Sequence, residues 1–157
     1  MTDGLFSATL GDAHEHIVLG ILIRLGLEVG KVDVSSTPYD LIIRPYKNPK
    51  TKSSSFIRAQ IKTVKTSLSF SGGSRGGIDR EYKSNVKTYT YSSKDTDIVI
   101  GIDRSTLDLY VVPIKIVEKC NQKSLAASKL KIFLNNWDIF LNWNPSYLEA
   151  LTKKFNC

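Results

Sequence analysis

Apolar residues in the first part of the chain recur every three or four positions, the spacing of one face of a helix. The repeated positions are Val18, Leu19, Leu22 and Leu25. They predict an amphipathic helix over residues 12–26. Asp12 and Glu15 have the spacing of a capping box at its start, and Gly26 suits its end.

Short apolar runs bounded by polar segments predict four strands farther along the chain. They cover residues 39–44, 56–64, 96–102 and 107–112. The polar connections at 45–55 and 103–106 predict that these strands pair as two hairpins. The Gly-rich segment 71–77 is predicted to be a flexible loop, and residues 82–91 fit either a strand or a helix.

The end of the chain has a helical pattern in two pieces from residue 123 onward. Asn135 and Asn136 interrupt it, and Asn144 followed by Pro145 is a typical start for the last helix. With helices at both ends and strands between them, the order predicts an α/β or α+β domain with a mixed central sheet flanked by helices. The 157 residues fit a single domain.

Positive charge is concentrated in the middle of the chain. The whole sequence has a net charge of +7, but the segment 44–94 holds twelve Lys and Arg against two acids, and the remainder is net negative. Such a basic segment favours a polyanionic partner such as nucleic acid. A solvated basic surface without a partner is the alternative that charge alone leaves open.

Several classes of protein are disfavoured. No apolar run reaches the ~18 residues of a membrane span, and the start Met1-Thr2-Asp3-Gly4 lacks the basic region of a secretory signal. Cys120 and Cys157 form neither a CxxC pair nor a metal-binding spacing, which disfavours a disulfide scaffold and a zinc module. We therefore expect a cytoplasmic protein that is not associated with a membrane.

Four polar residues occupy positions where apolar side chains are expected. Glu15 lies on the inward face of the predicted helix, and Asp40 opens an apolar strand. Gln60 and Lys62 point to the same face of the next strand. Each has a plainer explanation on its own: a helix cap, a turn before a strand, or the wet face of an edge strand.

Taken together, these four residues predict one site. A buried carboxylate needs a cation, a metal or hydrogen-bond donors, and the two acids are expected to pair directly with Lys62. Carboxylate and amide oxygens are ligands that Mg²⁺ accepts. A neighbouring ammonium can orient the attacking water and stabilise phosphate charge. In a basic chain, such a site indicates phosphodiester hydrolysis of nucleic acid.

The order of these residues resembles the pattern of the PD-(D/E)XK nuclease superfamily: an acid on a leading helix, Asp on one strand and (D/E)xK on the next. The matching segments are Gly11-Asp12-Ala13-His14-Glu15, Pro38-Tyr39-Asp40 and Gln60-Ile61-Lys62. The resemblance covers roughly residues 11–115 and is greatest to small intron-encoded homing endonucleases, some of which carry Gln in place of the second acid. Residues 123–157 would form a C-terminal helical extension. The Pro lies one residue farther from the Asp than in a strict PD pair.

The resemblance implies a restriction-endonuclease-like core and a sequence-specific endonuclease that cuts double-stranded DNA. Its metal ligands for Mg²⁺, or for Mn²⁺ in its place, would be Asp40, Gln60 and Glu15. Lys62 would be the catalytic lysine. The basic candidates for contacts with DNA are Lys65, Arg75, Arg80, Lys83 and Lys87. Because one site per chain cuts one strand, a homodimer or homotetramer is expected.

Three alternatives remain at this point. A restriction endonuclease or a Holliday-junction resolvase would use the same site on other DNA. A non-catalytic DNA-binding module would need only the basic segment.

Overall fold

A mixed five-stranded sheet lies at the centre of the protein in a computed structural model, which describes residues 3–34, 36–46, 55–74 and 87–157. The helices are α1 (Asp3–Arg24), α2 (Ile114–Cys120), α3 (Asp138–Leu141) and α4 (Pro145–Lys154), with a 3-10 helix at Ala127–Phe133. The strands are β1 (Glu28–Lys31), β2 (Leu41–Arg44), β3 (Ile57–Val64), β4 (Ser67–Ser69), β5 (Ser71–Ser74), β6 (Lys87–Thr90), β7 (Ile98–Asp103), β8 (Leu109–Pro113) and β9 (Ser124–Ala126).

The central sheet has the strand order β1-β2-β3-β7-β8. β3 and β7 run parallel, and the other neighbours run antiparallel. Both predicted hairpins are confirmed, since Leu41 pairs with Ala59 across β2 and β3, and Ile102 pairs with Leu109 across β7 and β8. The four predicted strands begin one or two residues later than expected. The fold is therefore the mixed α+β arrangement that the order of elements predicts.

Helix α1 packs against β1 and β3, and its predicted apolar face is confirmed by the complete burial of Val18 and Leu22. Its end is also as predicted. Gly26 has φ +86°, its N–H donates to the Ile23 carbonyl, and the Leu27 N–H donates to the Leu22 carbonyl. This is the hydrogen-bond pattern of a Schellman motif, in which glycine is favoured because of its positive φ.

The predicted start of α1 is wrong. The helix begins at Asp3, nine residues before Asp12, so Asp12 and Glu15 lie in its interior and do not form a capping box. The Asp12 carboxylate accepts a hydrogen bond from Lys31 instead of from its own backbone. The spacing of Asp12 and Glu15 therefore does not mark a helix start here. The role of Asp12 is a contact with a lysine that is distant in the sequence.

Two segments that were predicted as loop or helix are strands. Residues 71–74 form β5, which pairs with β6, so the flexible-loop prediction is wrong there; residues 75–77 lie outside the described residues. Residues 124–126 form β9 rather than helix because buried Leu125 pairs with buried Leu68 of β4. The predicted break at Asn135 is confirmed by its φ of +48°.

The last helix starts where the sequence predicts. Asn144 is the N-cap of α4, its side-chain oxygen accepts from the Tyr147 N–H at 3.0 Å, and Pro145 is the first helical residue. No helix among the described residues is long and apolar enough to cross a membrane.

Cys120 and Cys157 are joined by a disulfide, contrary to the sequence expectation. The two residues are 37 positions apart, and α2 and α4 pack together. The pairing depends on this tertiary contact, which no spacing in the sequence displays.

A bidentate ion pair ties the central strand β3 to the segment before β7. Arg58 Nε and NH2 donate to the two carboxylate oxygens of Asp97 at 3.0 and 2.9 Å, and the backbone N–H of Arg58 donates to Asp97 at 2.8 Å. The guanidinium also donates to the carbonyls of Ser93 and Lys94. Only the planar fork of arginine can make this set of bonds.

We therefore expect Arg58→Lys to lower the free energy of unfolding by about 1–2 kcal/mol, through the loss of charged hydrogen bonds. The control is Arg44→Lys, because Arg44 has one contact of 2.9 Å to exposed Glu28 and should change stability by less than about 0.5 kcal/mol. Urea unfolding of both variants measures the difference. Equal losses would contradict a special role for Arg58.

Candidate active site

Asp40 is held at the start of β2 by backbone bonds on both sides. Its N–H donates to the Ala59 carbonyl of β3 at 2.9 Å, and its carbonyl accepts from the Val32 N–H, just after β1, at 2.8 Å. These two hydrogen bonds fix the backbone of Asp40 between the strands on either side.

The carboxylate of Asp40 is bonded to β3. Its Oδ2 accepts from the Ile61 N–H at 2.7 Å and from Gln60 Nε2 at 2.5 Å. Gln60 is only 9% exposed, and its Nε2 also donates to the Ile61 carbonyl at 3.2 Å. Because both partners of Nε2 are acceptors, the amide orientation is fixed, and Gln60 Oε1 is the atom left for another ligand.

Lys62 lies on the same face of β3 as Gln60, as the alternation of the strand predicts. The expected direct pairing with Glu15 and Asp40 is wrong: among the described residues, no carboxylate lies within 4.0 Å of its ammonium. The Lys62 Nζ instead lies 5.3 Å from the centroid of the Tyr91 ring. Burial lowers the pKa of Lys62, and the charge of Asp40 opposes that shift.

Glu15 meets a different cation, Lys31, at the end of β1. The distance between Glu15 Oε2 and Lys31 Nζ is 3.4 Å, and the ammonium also lies 2.8 Å from Asp12 and 3.8 Å from Asp33. The side chains of Glu15 and Lys31 are 27% and 17% exposed. Sequence reasoning missed Lys31; the signal was a lone lysine between two acids in the acidic segment 28–40.

Burial raises the pKa of the Asp40 carboxyl to about 6. The hydrogen bond from the Ile61 N–H opposes this rise, and the negative charge of Glu15 adds to it. The ammoniums of Lys62 and Lys31 also lower the pKa, but less than burial raises it. The site therefore holds a carboxylate that is costly to ionise without a further cation.

The donor set suits a hard cation such as Mg²⁺. Asp40 Oδ1 receives no hydrogen bond from the described residues, and Gln60 Oε1 and the Glu15 carboxylate are the other oxygen atoms of the predicted ligand set. Among those residues no three His, Cys, Asp or Glu side chains form a metal cluster. The predicted set contains only two such side chains, so waters and substrate phosphate would complete the octahedral shell of Mg²⁺.

The predicted DNA contacts are described only in part. Lys65 is exposed just after β3 and lines a concave surface with Thr63 and Arg104. Lys87 begins β6. The other three predicted contacts, Arg75, Arg80 and Lys83, lie outside the described residues.

The fold is similar to that of a bacterial homing endonuclease, I-Ssp6803I. The TM-score is 0.65 and the sequence identity is 15%, over 92% of this chain and 95% of that chain. No protein-family model and no curated protein matches the sequence. At this identity the likeness shows the fold, and activity has to be argued from the site.

Asp40→Asn should stabilise the metal-free protein at pH 7.5. The folded pKa of about 6 exceeds the unfolded value of 3.8, so stability falls as pH rises between these values. At about 1.4 kcal/mol per pKa unit, the loss is on the order of 3 kcal/mol. Asn at position 40 avoids this loss because it does not ionise. Its side-chain oxygen can still accept the hydrogen bonds from Ile61 and Gln60. Thermal unfolding in EDTA should show a higher Tm for the variant than for the wild type at pH 7.5, and the difference should shrink towards pH 4. A Tm difference that does not change with pH would contradict the raised pKa of Asp40.

Lys31→Met should lower the free energy of unfolding by up to about 1 kcal/mol, because three carboxylates lose their shared cation and two of them, Asp12 and Asp33, are mostly exposed to solvent. High salt should recover part of the loss by screening the repulsion. The control is Lys153→Met, whose pair with Glu149 is exposed on both sides and should contribute little. Urea unfolding at low and high NaCl measures both; a loss that does not change with salt would contradict the charge argument.

Proposed function

We propose that this protein is a sequence-specific, Mg²⁺-dependent endonuclease that cuts double-stranded DNA, of the homing type within the PD-(D/E)XK superfamily. The observation that carries the proposal is the partly buried Asp40 carboxylate, which is hydrogen-bonded to Gln60, with the Lys62 ammonium on the same strand face as Gln60. The likeness in fold to a homing endonuclease supports it. In this proposal the whole chain is one nuclease domain that acts in the cytoplasm.

The metal would be held by three side chains. Asp40 would bind it through Oδ1, Gln60 through Oε1, and Glu15 directly or through a water. When bound, Mg²⁺, or Mn²⁺ in its place, polarises a phosphoryl oxygen and lowers the pKa of a coordinated water. A cation here would also remove the cost of ionising Asp40, which matches the raised pKa of this carboxyl.

Lys62 has the second role in this proposal. Its ammonium would orient the attacking water and stabilise the negative charge that develops on the phosphate. The water oxygen attacks phosphorus and gives up a proton to solvent, the P–O bond to the neighbouring nucleotide breaks, and the leaving oxygen takes a proton from solvent. Partial burial strengthens such electrostatic stabilisation because the lysine is only partly screened by solvent.

Partners follow from the charge and the number of sites. The basic segment 44–94 supports binding to the DNA backbone, with Lys65, Arg75, Arg80, Lys83 and Lys87 as the proposed contacts. One site per chain cuts one strand, so we propose a homodimer or homotetramer on a pseudo-palindromic target.

A non-catalytic DNA-binding module is the second candidate, and the concentration of positive charge favours it. It would bind DNA without needing Asp40, Gln60 or Lys62. A restriction endonuclease and a junction resolvase share the proposed chemistry and differ in substrate.

Lys62→Ala should lower the single-turnover rate of DNA cleavage by about 10³-fold, because the charge that acts on the phosphate is removed. The substrates are a pool of randomised duplexes, genomic DNA and a four-way junction, each with Mg²⁺ or Mn²⁺. Sequencing of the cut ends identifies the target. Binding in Ca²⁺ should be nearly unchanged.

The matched control is Lys131→Ala, which removes one exposed positive charge from the 3-10 helix. It should cleave like the wild type. If the wild type binds these DNAs but cuts none of them, the binding module is favoured. If Lys62→Ala cleaves as fast as the wild type, the assigned role of the lysine is wrong.

A further inference from the structure

Among the described residues, the ammonium of Lys62 faces an aromatic ring rather than an acid. Its Nζ lies 5.3 Å from the centroid of Tyr91, within the ~6 Å range of a cation–π interaction. Tyr91 is only 4% exposed, so its ring is fixed by packing. A lysine side chain has several rotatable bonds, and this contact restricts where its charged end can lie.

Tyr91 is itself held by the hairpin of β5 and β6. Its N–H donates to the Phe70 carbonyl at 2.8 Å, and Phe70 is fully buried between β4 and β5. Tyr89 of β6 packs edge-on against the Tyr91 ring, with centroids 5.6 Å apart and planes at 89°. This T-shaped geometry is favourable for aromatic pairs.

Gly72 of β5 allows Tyr89 to take that position. The two residues are opposite each other in the strand pairing. A Cβ at Gly72 would lie 2.6 Å from Cζ of the Tyr89 ring, a distance that requires the ring to move. The contacts thus run from Gly72 through Tyr89 and Tyr91 to the lysine.

We propose that Tyr91 is a positioning residue for Lys62, and that Tyr89 and Gly72 hold Tyr91 in place from the β5–β6 hairpin. The inference rests on the proposed nuclease function, in which Lys62 acts on the phosphate.

An aromatic partner suits that role better than a carboxylate does. A ring face attracts the ammonium but leaves its three N–H donors free, whereas a carboxylate would accept from them and neutralise the charge. Burial raises the pKa of the Tyr91 hydroxyl to about 12, so the ring stays neutral. Lys62 is thereby located without losing the donors that would meet phosphate oxygens and water.

The test compares Tyr91→Leu with Tyr91→Phe. We expect Leu to lower kcat about 10-fold with KM for the cleaved duplex nearly unchanged, because it removes the ring that locates the lysine. Phe keeps the ring and should stay within about twofold of the wild-type rate. Gly72→Ala, which displaces Tyr89, should lower kcat by a smaller factor and serves if the Leu variant does not fold.

A second readout needs neither DNA nor metal. The ε-methylene protons of Lys62 should resonate upfield in NMR spectra of the wild type and Tyr91→Phe, owing to the ring current, and return to ordinary values in Tyr91→Leu. An ordinary shift in the wild type overturns the inference, as does a Leu variant that folds and cleaves at the wild-type rate. A wild type that cuts no DNA while showing the upfield shift overturns the proposed function but supports the aromatic contact.

Discussion

A partly buried carboxylate directly before strand β2 is the constraint around which this site is built. Asp40 is fixed by backbone bonds to its neighbours on both sides, and its Oδ2 accepts from Ile61 and Gln60. Two donors do not offset burial, because the pKa remains raised to about 6. The lysines of the site, Lys62 and Lys31, partly compensate the negative charge of Asp40.

Acidic and basic side chains lie close to one another in the site. Glu15 is paired with Lys31, and the lysines at 31 and 62 both favour ionised Asp40. Neither lysine forms a close pair with Asp40 among the described residues. Because Asp12 and Asp33 also lie within 4.0 Å of Lys31, the site has four carboxylates against two ammoniums, although the chain as a whole carries +7. Net charge predicts the class of partner, whereas the site depends on local pairing.

The features that could be predicted from the sequence are those that depend on local periodicity. Alternation along β3 placed Gln60 and Lys62 on one face, and the apolar runs located the strands of the two hairpins. The sequence could not predict contacts between distant segments. The pairing of Glu15 with Lys31 and the approach of Tyr91 to Lys62 depend on how α1 and the β5–β6 hairpin pack. The predicted start of α1 was wrong for the same reason, because Asp12 accepts a hydrogen bond from Lys31 and does not cap the helix.

Gln60 stands where the (D/E)xK pattern that the sequence resembles has an acid, and its hydrogen bonds provide a physical reason for an amide at this position. Its Nε2 lies 2.5 Å from Asp40 Oδ2 and donates to it. A carboxylate at this position would bring a second negative charge to a group that is already difficult to ionise, and would require a shared proton or a bound cation. The amide donates to Asp40, adds no charge of its own and still presents one oxygen. Compared with a site that has a carboxylate at position 60, we expect this site to destabilise the protein less in the absence of metal. We also expect it to bind a divalent cation less tightly, because it has one negative charge fewer.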